Sequence, residues 1–134
     1  MTANNTRPGA RPARILVVDD DARVRRALCA LLRSAPGLSV AGEAASDAAT
    51  LRADEELAPD IVLLDILLPS SREGFAVLDR LAAKGRTVVA LSVQEALRAS
   101  TLAAGAAAFV GKYAGADALL ATLQDVAAGT VGTT

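Results

Sequence analysis

The pattern of apolar and polar residues along the chain predicts five strands that alternate with five helices. Four of the predicted strands are short, largely apolar runs, and the first, residues 15–18, is rich in branched side chains, a pattern typical of strands buried on both faces. The second is weaker. The predicted strands are residues 15–18, 38–43, the apolar run that ends at Asp65, 87–91 and 107–110.

Between these runs, apolar residues recur every three or four positions, which is the spacing of an amphipathic helix. Ser46 is suited to cap the second helix, and Gly85 and Gly105 end the third and fourth. The predicted helices are residues 22–34, 47–56, 74–84, 94–104 and 116–128. Strict alternation of strands and helices predicts an α/β domain with a parallel sheet, right-handed crossovers and helices on both faces.

The composition fits one globular domain. The chain has 134 residues, of which 52% are hydrophobic and only 2% aromatic, so the core is predicted to consist of Ala, Val, Leu and Ile. Residues 1–13 lack periodicity and are predicted to form a flexible tail, and residues 129–134 a second tail or a truncated linker. With no apolar run of membrane length, we expect a cytoplasmic protein without membrane contact, and the net charge of −1 predicts no direct binding to nucleic acid.

The rarest residue types exclude several kinds of chemistry. The chain has no histidine, so a Ser-His-Asp triad, a His-ligated zinc site and a Cys-His nucleophile are all excluded. Cys29 is the sole cysteine, which rules out an internal disulfide. Any chemistry must therefore use carboxylates, hydroxyls and lysine, and a histidine that takes part must belong to a partner.

Polar residues interrupt the apolar pattern at one kind of place. Asp19 and Asp20 follow the first strand, Asp65 ends the third, Ser92 follows the fourth and Lys112 follows the fifth. In an open parallel sheet, ligands bind in the crevice outside the carboxyl ends of the strands. We therefore expect these five side chains to share one pocket, although an aspartate before Pro69 is also an ordinary start of a turn.

Three carboxylates in one pocket repel each other and call for a cation. All-oxygen ligation that leaves positions for water or phosphate suits Mg²⁺ better than Ca²⁺. An ammonium and a hydroxyl beside such a metal are what an incoming phosphoryl group needs. The pocket is therefore predicted to bind Mg²⁺ and to receive a phosphoryl group.

With this set of residues the chain resembles the receiver domain of two-component response regulators, over about residues 14–128. The resemblance implies an α/β, single-domain, flavodoxin-like (βα)5 fold with the strand order 2-1-3-4-5. By motif position it also implies the following roles: Asp65 as phosphoacceptor, Asp19, Asp20, Asp65 and the backbone carbonyl of Leu67 as metal ligands, Ser92 as switch hydroxyl, Phe109 as the aromatic side chain that repositions with it, and Lys112 as the cation on the phosphoryl group.

The resemblance further implies Mg²⁺ as cofactor and a histidine kinase or phosphotransfer protein as partner. The chain is then a phosphoacceptor and not an enzyme, although it can promote its own phosphorylation and dephosphorylation, and it can regulate transcription only through a domain outside this sequence. A homodimer is predicted through the fourth helix, fifth strand and fifth helix, or through the first and fifth helices.

Some features depart from the family pattern. Tyr113 follows Lys112 where many receivers have proline, and with the Ala-Gly-Glu sequence that ends at Glu43 this is most similar to the NarL/LuxR-type subfamily, whose members usually carry a C-terminal helix-turn-helix. The loop 69–74 is one residue longer than usual. Asp21 is predicted to cap the first helix, with an extra carboxylate in the site as the alternative.

Three other interpretations stay open at this point. A degenerate receiver can act as a phosphorylation-independent binding module. A haloacid-dehalogenase-like phosphatase also uses an aspartate and Mg²⁺, but its Asp-x-Asp-x-Thr/Val pattern fails at Arg23. A flavin- or dinucleotide-binding domain needs a phosphate loop after the first strand, where this chain has three acids.

Overall fold

The computed structural model describes residues 11–130, in which five strands alternate with five helices. The strands are β1 (Ala13–Val18), β2 (Leu38–Ala44), β3 (Ile61–Asp65), β4 (Val88–Ser92) and β5 (Ala108–Gly111). The helices are α1 (Ala22–Arg33), α2 (Asp47–Leu57), α3 (Ser71–Ala83), α4 (Arg98–Ala103) and α5 (Ala116–Thr130), and a 3-10 turn (Glu95–Leu97) precedes α4.

The strands form one parallel sheet in the order β2-β1-β3-β4-β5, which confirms the predicted fold. Val18 of β1 is paired with Leu64, Asp65 with Leu91, and Ser92 with Gly111. The strands β1, β3, β4 and β5 therefore end at nearly the same level. This register brings the polar residues at their carboxyl ends to one edge of the sheet.

Two apolar clusters cover the two faces of the sheet. Alternate residues of β1 point to opposite faces, so Ile15 and Val17 lie in one cluster with residues of α1 and α5, and Leu16 and Val18 in the other with residues of α3. All four side chains are at most 1% exposed. Burial on both faces explains why β1 is a continuous apolar run from Ile15 to Val18.

Two helices differ from their predicted bounds. Helix α3 begins at Ser71 instead of Gly74, so Gly74 lies inside the helix. A Cβ on Gly74 would come 1.7 Å from the carbonyl oxygen of Ile66. Glycine is needed there for close approach and does not mark the helix end. The predicted fourth helix, residues 94–104, is instead a 3-10 turn followed by the short α4, because the Leu97 N–H bonds to the carbonyl of Gln94 three residues earlier.

Both ends of the fold extend past the predicted bounds. Strand β1 starts at Ala13, and Arg11 before it forms an ion pair with Asp60 at 2.5 Å. Helix α5 continues to Thr130. The rest of the two predicted tails, residues 1–10 and 131–134, lies outside the described residues. Among residues 11–130, no helix has the length and apolar character needed to span a bilayer.

Candidate functional site

Three carboxylates converge at the carboxyl edge of the sheet. Asp19, Asp20 and Asp65 each place one oxygen atom within 4.8 Å of the others. Asp19 is 1% and Asp65 4% exposed, whereas Asp20 faces solvent. The predicted grouping of these three side chains is therefore present in the structure.

The ammonium group of Lys112 bridges two of these carboxylates. Its Nζ lies 3.1 Å from Oδ2 of Asp19 and 3.1 Å from Oδ2 of Asp65. The backbone of Lys112 is held in place as well, because its N–H donates to the carbonyl of Ser92 at 2.8 Å. Residues from β1, β3, β4 and β5 thus meet at one point.

The charges at this site shift two pKa values. Burial raises the pKa of Asp65 above its ordinary value, although the positive charge of Lys112 and the hydrogen bond from the Leu67 N–H act in the opposite direction. Burial lowers the pKa of Lys112, but the negative charge of Asp65 and the hydrogen bonds to Asp65 and Asp19 outweigh it, so the pKa is raised. Lys112 is therefore charged at neutral pH. The ionised form of Asp65, by contrast, is disfavoured by its burial, which is why the pKa of Asp65 is raised.

The turn after β3 fixes the orientation of Asp65. Its Oδ1 accepts a hydrogen bond from the Leu67 N–H at 3.1 Å, and the Ile66 N–H donates to Leu91 of the neighbouring strand at 3.0 Å. The peptide bond between Leu68 and Pro69 is cis. Gly74 in the first turns of α3 packs directly against the backbone of Ile66 and so helps to hold this loop in place.

The turn after β1 orients Asp19 in a similar way. Its Oδ1 accepts the Asp21 N–H at 2.9 Å. Asp21 in turn caps α1, since its Oδ1 accepts the N–H groups of Val24 at 3.3 Å and Arg23 at 2.9 Å, and these bonds lower its pKa. The predicted capping role of Asp21 is confirmed, and the same residue links the helix to the acidic cluster.

Sequence reasoning missed Arg25. Arg25 is half-buried and donates to the carbonyl of Asp19 at 2.7 Å and to the carboxylate of Glu43 at 3.0 Å. Its position four residues after the cap Asp21 puts it in the first turn, above the strand ends. That spacing was the signal that could have identified it.

Ser92 and Phe109 both lie inside the protein. Ser92 is the last residue of β4 and fully buried, and its Oγ accepts the N–H of Gln94 at 3.0 Å. Phe109 is 5% exposed, and the guanidinium of Arg98 lies 4.7 Å from the centre of its ring. The two residues expected to act as a switch are thus both held by contacts with the segment before and within α4.

The donor set of the cluster fits a hard divalent cation. Three carboxylate oxygens within reach of one point, one of the side chains open to water, match the all-oxygen ligation that Mg²⁺ prefers. The ammonium of Lys112 offsets only part of the negative charge. A cation would remove the repulsion that remains.

Comparison with known proteins gives a consistent result. The model of the response regulator receiver domain matches residues 15–124. The nitrate/nitrite response regulator protein NarL of Escherichia coli strain K12 is 35% identical over 122 residues, which cover 88% of this chain and 56% of the relative. Protein-glutamate methylesterase/protein-glutamine glutaminase 2 of Koribacter versatilis is 36% identical over 121 residues, covering 87% of this chain and 32% of the relative.

A solved structure agrees with these relatives. The two-component response regulator of the LuxR family from Aurantimonas sp. SI85-9A1 superposes with a TM-score of 0.81 at 27% identity, covering 90% of this chain and 88% of that one. The chain spans about half of NarL and about a third of the methylesterase. The expected resemblance, including its NarL/LuxR-type character, is confirmed, and the chain belongs to the response regulator receiver domain family of two-component signal transduction.

Proposed function

We propose that this chain accepts a phosphoryl group on Asp65 from the phosphohistidine of a histidine kinase or phosphotransfer protein, with Mg²⁺ as cofactor. Receiver domains interact with such partners and bind Mg²⁺ at an acidic site. The observation that carries the proposal is the position of Lys112, whose Nζ is 3.1 Å from both Asp65 and Asp19, within a cluster of three carboxylates.

In the proposed reaction an Oδ atom of Asp65 attacks the phosphorus of the partner's phosphohistidine. A P–O bond forms while the P–N bond breaks, and the imidazole nitrogen leaves with the electron pair and takes up a proton. Lys112 balances charge on the phosphoryl oxygens. The Leu67 N–H holds the second oxygen of Asp65 and so keeps the attacking carboxylate oriented.

The residues that would hold the cation are Asp19, Asp20, Asp65 and, by the family resemblance, the backbone carbonyl of Leu67. When bound, Mg²⁺ supplies positive charge to the oxygens of the transferring group. Arg25 fixes the backbone of Asp19 from the other side, at 2.7 Å. We expect it to keep the acidic pair in position without contacting the phosphoryl group.

Phosphorylation then acts through Ser92 and Phe109. The hydroxyl of Ser92 turns from Gln94 to donate to the new phosphoryl group, and the packing of Phe109 changes with it. The chain serves as a phosphoacceptor and not as an enzyme on other substrates. Its output, transcription regulation through a DNA-binding domain, lies beyond residues 14–128.

We further propose a homodimer through α1 and α5 in preference to the surface of α4, β5 and α5. A groove of about 310 Å³ between α1 and α5 is lined by apolar residues, among them Leu28, Leu31 and Leu119. Charge favours pairing of α1 with α5 of a second copy, because α1 exposes Arg23, Arg26 and Arg33, and α5 exposes Asp117 and Asp125. A strict monomer by light scattering, with and without a phosphoryl analogue, would contradict the dimer.

The central experiment uses acetyl phosphate with and without Mg²⁺, followed by intact mass measurement. The wild type and the control Asp79→Asn, which removes an exposed carboxylate of α3, are expected to gain one phosphoryl group when Mg²⁺ is present. Asp65→Asn is expected to gain none. A magnesium-dependent adduct on Asp65→Asn would contradict the assignment.

A second donor and a binding measurement separate the remaining cases. If acetyl phosphate gives no adduct, phosphoramidate, which has a P–N bond, is tested next. Failure with both donors together with failure to bind Mg²⁺ by titration calorimetry would favour the phosphorylation-independent binding module.

A further inference from the structure

The segment between β4 and α4 ties the Ser92 hydroxyl to the first turn of helix that follows. Ser92 Oγ accepts the Gln94 N–H, and the Gln94 carbonyl accepts the Leu97 N–H, both at 3.0 Å. The second bond closes the 3-10 turn Glu95–Leu97, and Arg98 follows it directly. If the Ser92 hydroxyl moves away, the Gln94 N–H loses its acceptor, and the residue that closes the turn is held less firmly.

Arg98 attaches the same segment to β5 by two contacts, and a third contact joins it to Glu95 within the segment. Its guanidinium lies over the Phe109 ring, its Nη1 donates to the Phe109 carbonyl at 3.1 Å, and its Nε is bonded to the Glu95 carboxylate. A cation over an aromatic face and charge-assisted hydrogen bonds both favour this arrangement. The Arg98 side chain is nevertheless 45% exposed, so it can exchange these contacts for water.

Glu95 brings the segment against the end of β5. One oxygen of its carboxylate lies where a Cβ on Gly111 would be only 3.3 Å away. Gly111 is paired with Ser92 and directly precedes Lys112. The turn, its carboxylate and Arg98 thus rest on the strand that carries the lysine of the site.

The packing of α4 leaves one buried polar atom without a partner. Thr101 is fully buried, and within residues 11–130 its Oγ1 has no hydrogen-bond partner. Helix α4 itself is six residues long. An unpaired buried hydroxyl is unfavourable, so the packing of α4 against the sheet carries an energetic cost at Thr101.

We propose that Arg98 is a positioning residue that holds Phe109 and the turn Glu95–Leu97 in place, and so keeps the Ser92 hydroxyl on Gln94 and away from Asp65. This inference rests on the proposed phosphorylation of Asp65. The Arg98 contacts act as a latch: while they hold, Ser92 stays engaged with the backbone. By thermodynamic linkage, opening the latch favours phosphorylation, and phosphorylation favours opening.

The first test needs neither phosphodonor nor metal. Hydrogen exchange of the Gln94 and Leu97 amides reports directly on the two bonds of the segment. In Arg98→Gln we expect both amides to exchange about tenfold faster than in the wild type, while amides of β1 and β3 keep their protection. Glu95→Gln, which weakens the grip on Arg98 from the other side, is expected to give a smaller increase at the same amides.

The second test measures the rate of phosphorylation by acetyl phosphate with Mg²⁺. Arg98→Gln is expected to react about tenfold faster than the wild type, equal to about 1.4 kcal/mol of bias removed. Arg98→Lys keeps a cation near the ring and should fall between the two. Arg80→Gln, which removes an exposed arginine of α3, should match the wild type.

The outcomes separate the two proposals. A wild type that neither phosphodonor modifies and that binds no Mg²⁺ contradicts the proposed function, and the exchange measurement then still decides the latch. Unchanged exchange at Gln94 and Leu97 in a folded Arg98→Gln protein would overturn the latch, as would faster exchange throughout the sheet, because that indicates a general structural role. An equal or slower phosphorylation rate in Arg98→Gln would overturn it as well.

Discussion

The two edges of the sheet treat buried carboxylates in opposite ways. At the carboxyl edge, three carboxylates gather around Lys112, which contacts two of them. At the amino edge, the single carboxylate of Asp54 forms ion pairs with two cations, Lys84 at 2.5 Å and Arg86 at 2.6 Å. Asp54 is fully buried and Asp65 nearly so, so burial by itself does not distinguish a site from a structural ion pair.

The balance of charge is what distinguishes the two edges. A single buried carboxylate that is paired with two cations has its negative charge fully neutralised, and such a pair can stabilise the fold. Three carboxylates that share one cation keep a net negative charge, which favours the binding of a further cation. The pKa values agree. Asp60, also at the amino edge, has its pKa lowered mainly by the hydrogen bond from Arg11, while burial raises the pKa of Asp65. Excess negative charge is therefore the better sign of a binding site here.

The largest expected effect is at the amino edge. Asp54→Ala leaves Lys84 and Arg86 without their carboxylate, and breaking a buried ion pair costs about 3–5 kcal/mol. We expect about 3 kcal/mol, because both cations are partly exposed and can turn toward water. Urea unfolding measures the change, with Asp79→Ala as an exposed control. A loss under 1 kcal/mol would show that Asp54 is not the structural counterpart of Asp65.

Magnesium should act on the carboxyl edge alone. At a free concentration ten times the dissociation constant, a ligand that binds only the folded state adds about 1.4 kcal/mol to the unfolding free energy. We expect this gain in the wild type and in Asp79→Asn. Asp20→Asn should lose most of it, and because Asp20 is exposed its removal leaves the core intact. An equal gain in Asp20→Asn would remove Asp20 from the ligand set.

Neutralising Asp65 should stabilise the folded protein. In metal-free buffer, Asp65→Asn is expected to raise the unfolding free energy by about 1 kcal/mol, because it ends the repulsion with Asp19 and the cost of burying a charge. Lys112 keeps Asp19 as partner at 3.1 Å. The measurement is urea unfolding beside Asp54→Asn, which should change in the opposite direction. Destabilisation of both proteins would mean that the two edges are alike.

The sequence was sufficient for the sheet and for the carboxylates and the lysine of the candidate site, but not for Arg25. Runs buried on both faces identify the strands, and Asp19, Asp65 and Lys112 are visible because each interrupts or follows such a run. Once the strands are parallel, the sheet itself brings their ends together. Local pattern and global fold agree at these positions.

The contacts that the sequence did not reveal join residues that are ordinary in their own surroundings. Asp54 lies in a polar stretch of α2 and meets Arg86 32 positions later, so nothing local marks it as buried. In the sequence Arg98 looks like an ordinary surface arginine, and only the fold places it over the ring of Phe109 in β5. Such contacts depend on how helices sit on the sheet, and helical periodicity alone does not specify that.

The smallest effect concerns pH at the amino edge. The hydrogen bonds from Arg11 lower the pKa of Asp60, so its ionised form stabilises the fold above the unfolded pKa of about 3.9, and this stabilisation is lost as the pH falls through the lower folded value. At pH 7, Asp60→Asn should cost roughly 0.5–1 kcal/mol, since the Arg11 side chain is 57% exposed and the pair is screened by water.

Urea unfolding of the wild type and Asp60→Asn from pH 7 to pH 3 measures this loss, and the difference between them should shrink toward zero at the acid end. Asp79→Asn, without such a pair among its described contacts, should show a small and nearly constant difference from the wild type. A difference for Asp60→Asn that persists unchanged at pH 3 would mean that packing and not charge holds the amino edge. In that case neutralisation by cations would not explain the stabilising role of Asp60. The comparison between the amino edge and the carboxylates around Lys112 would then depend on Asp54 alone.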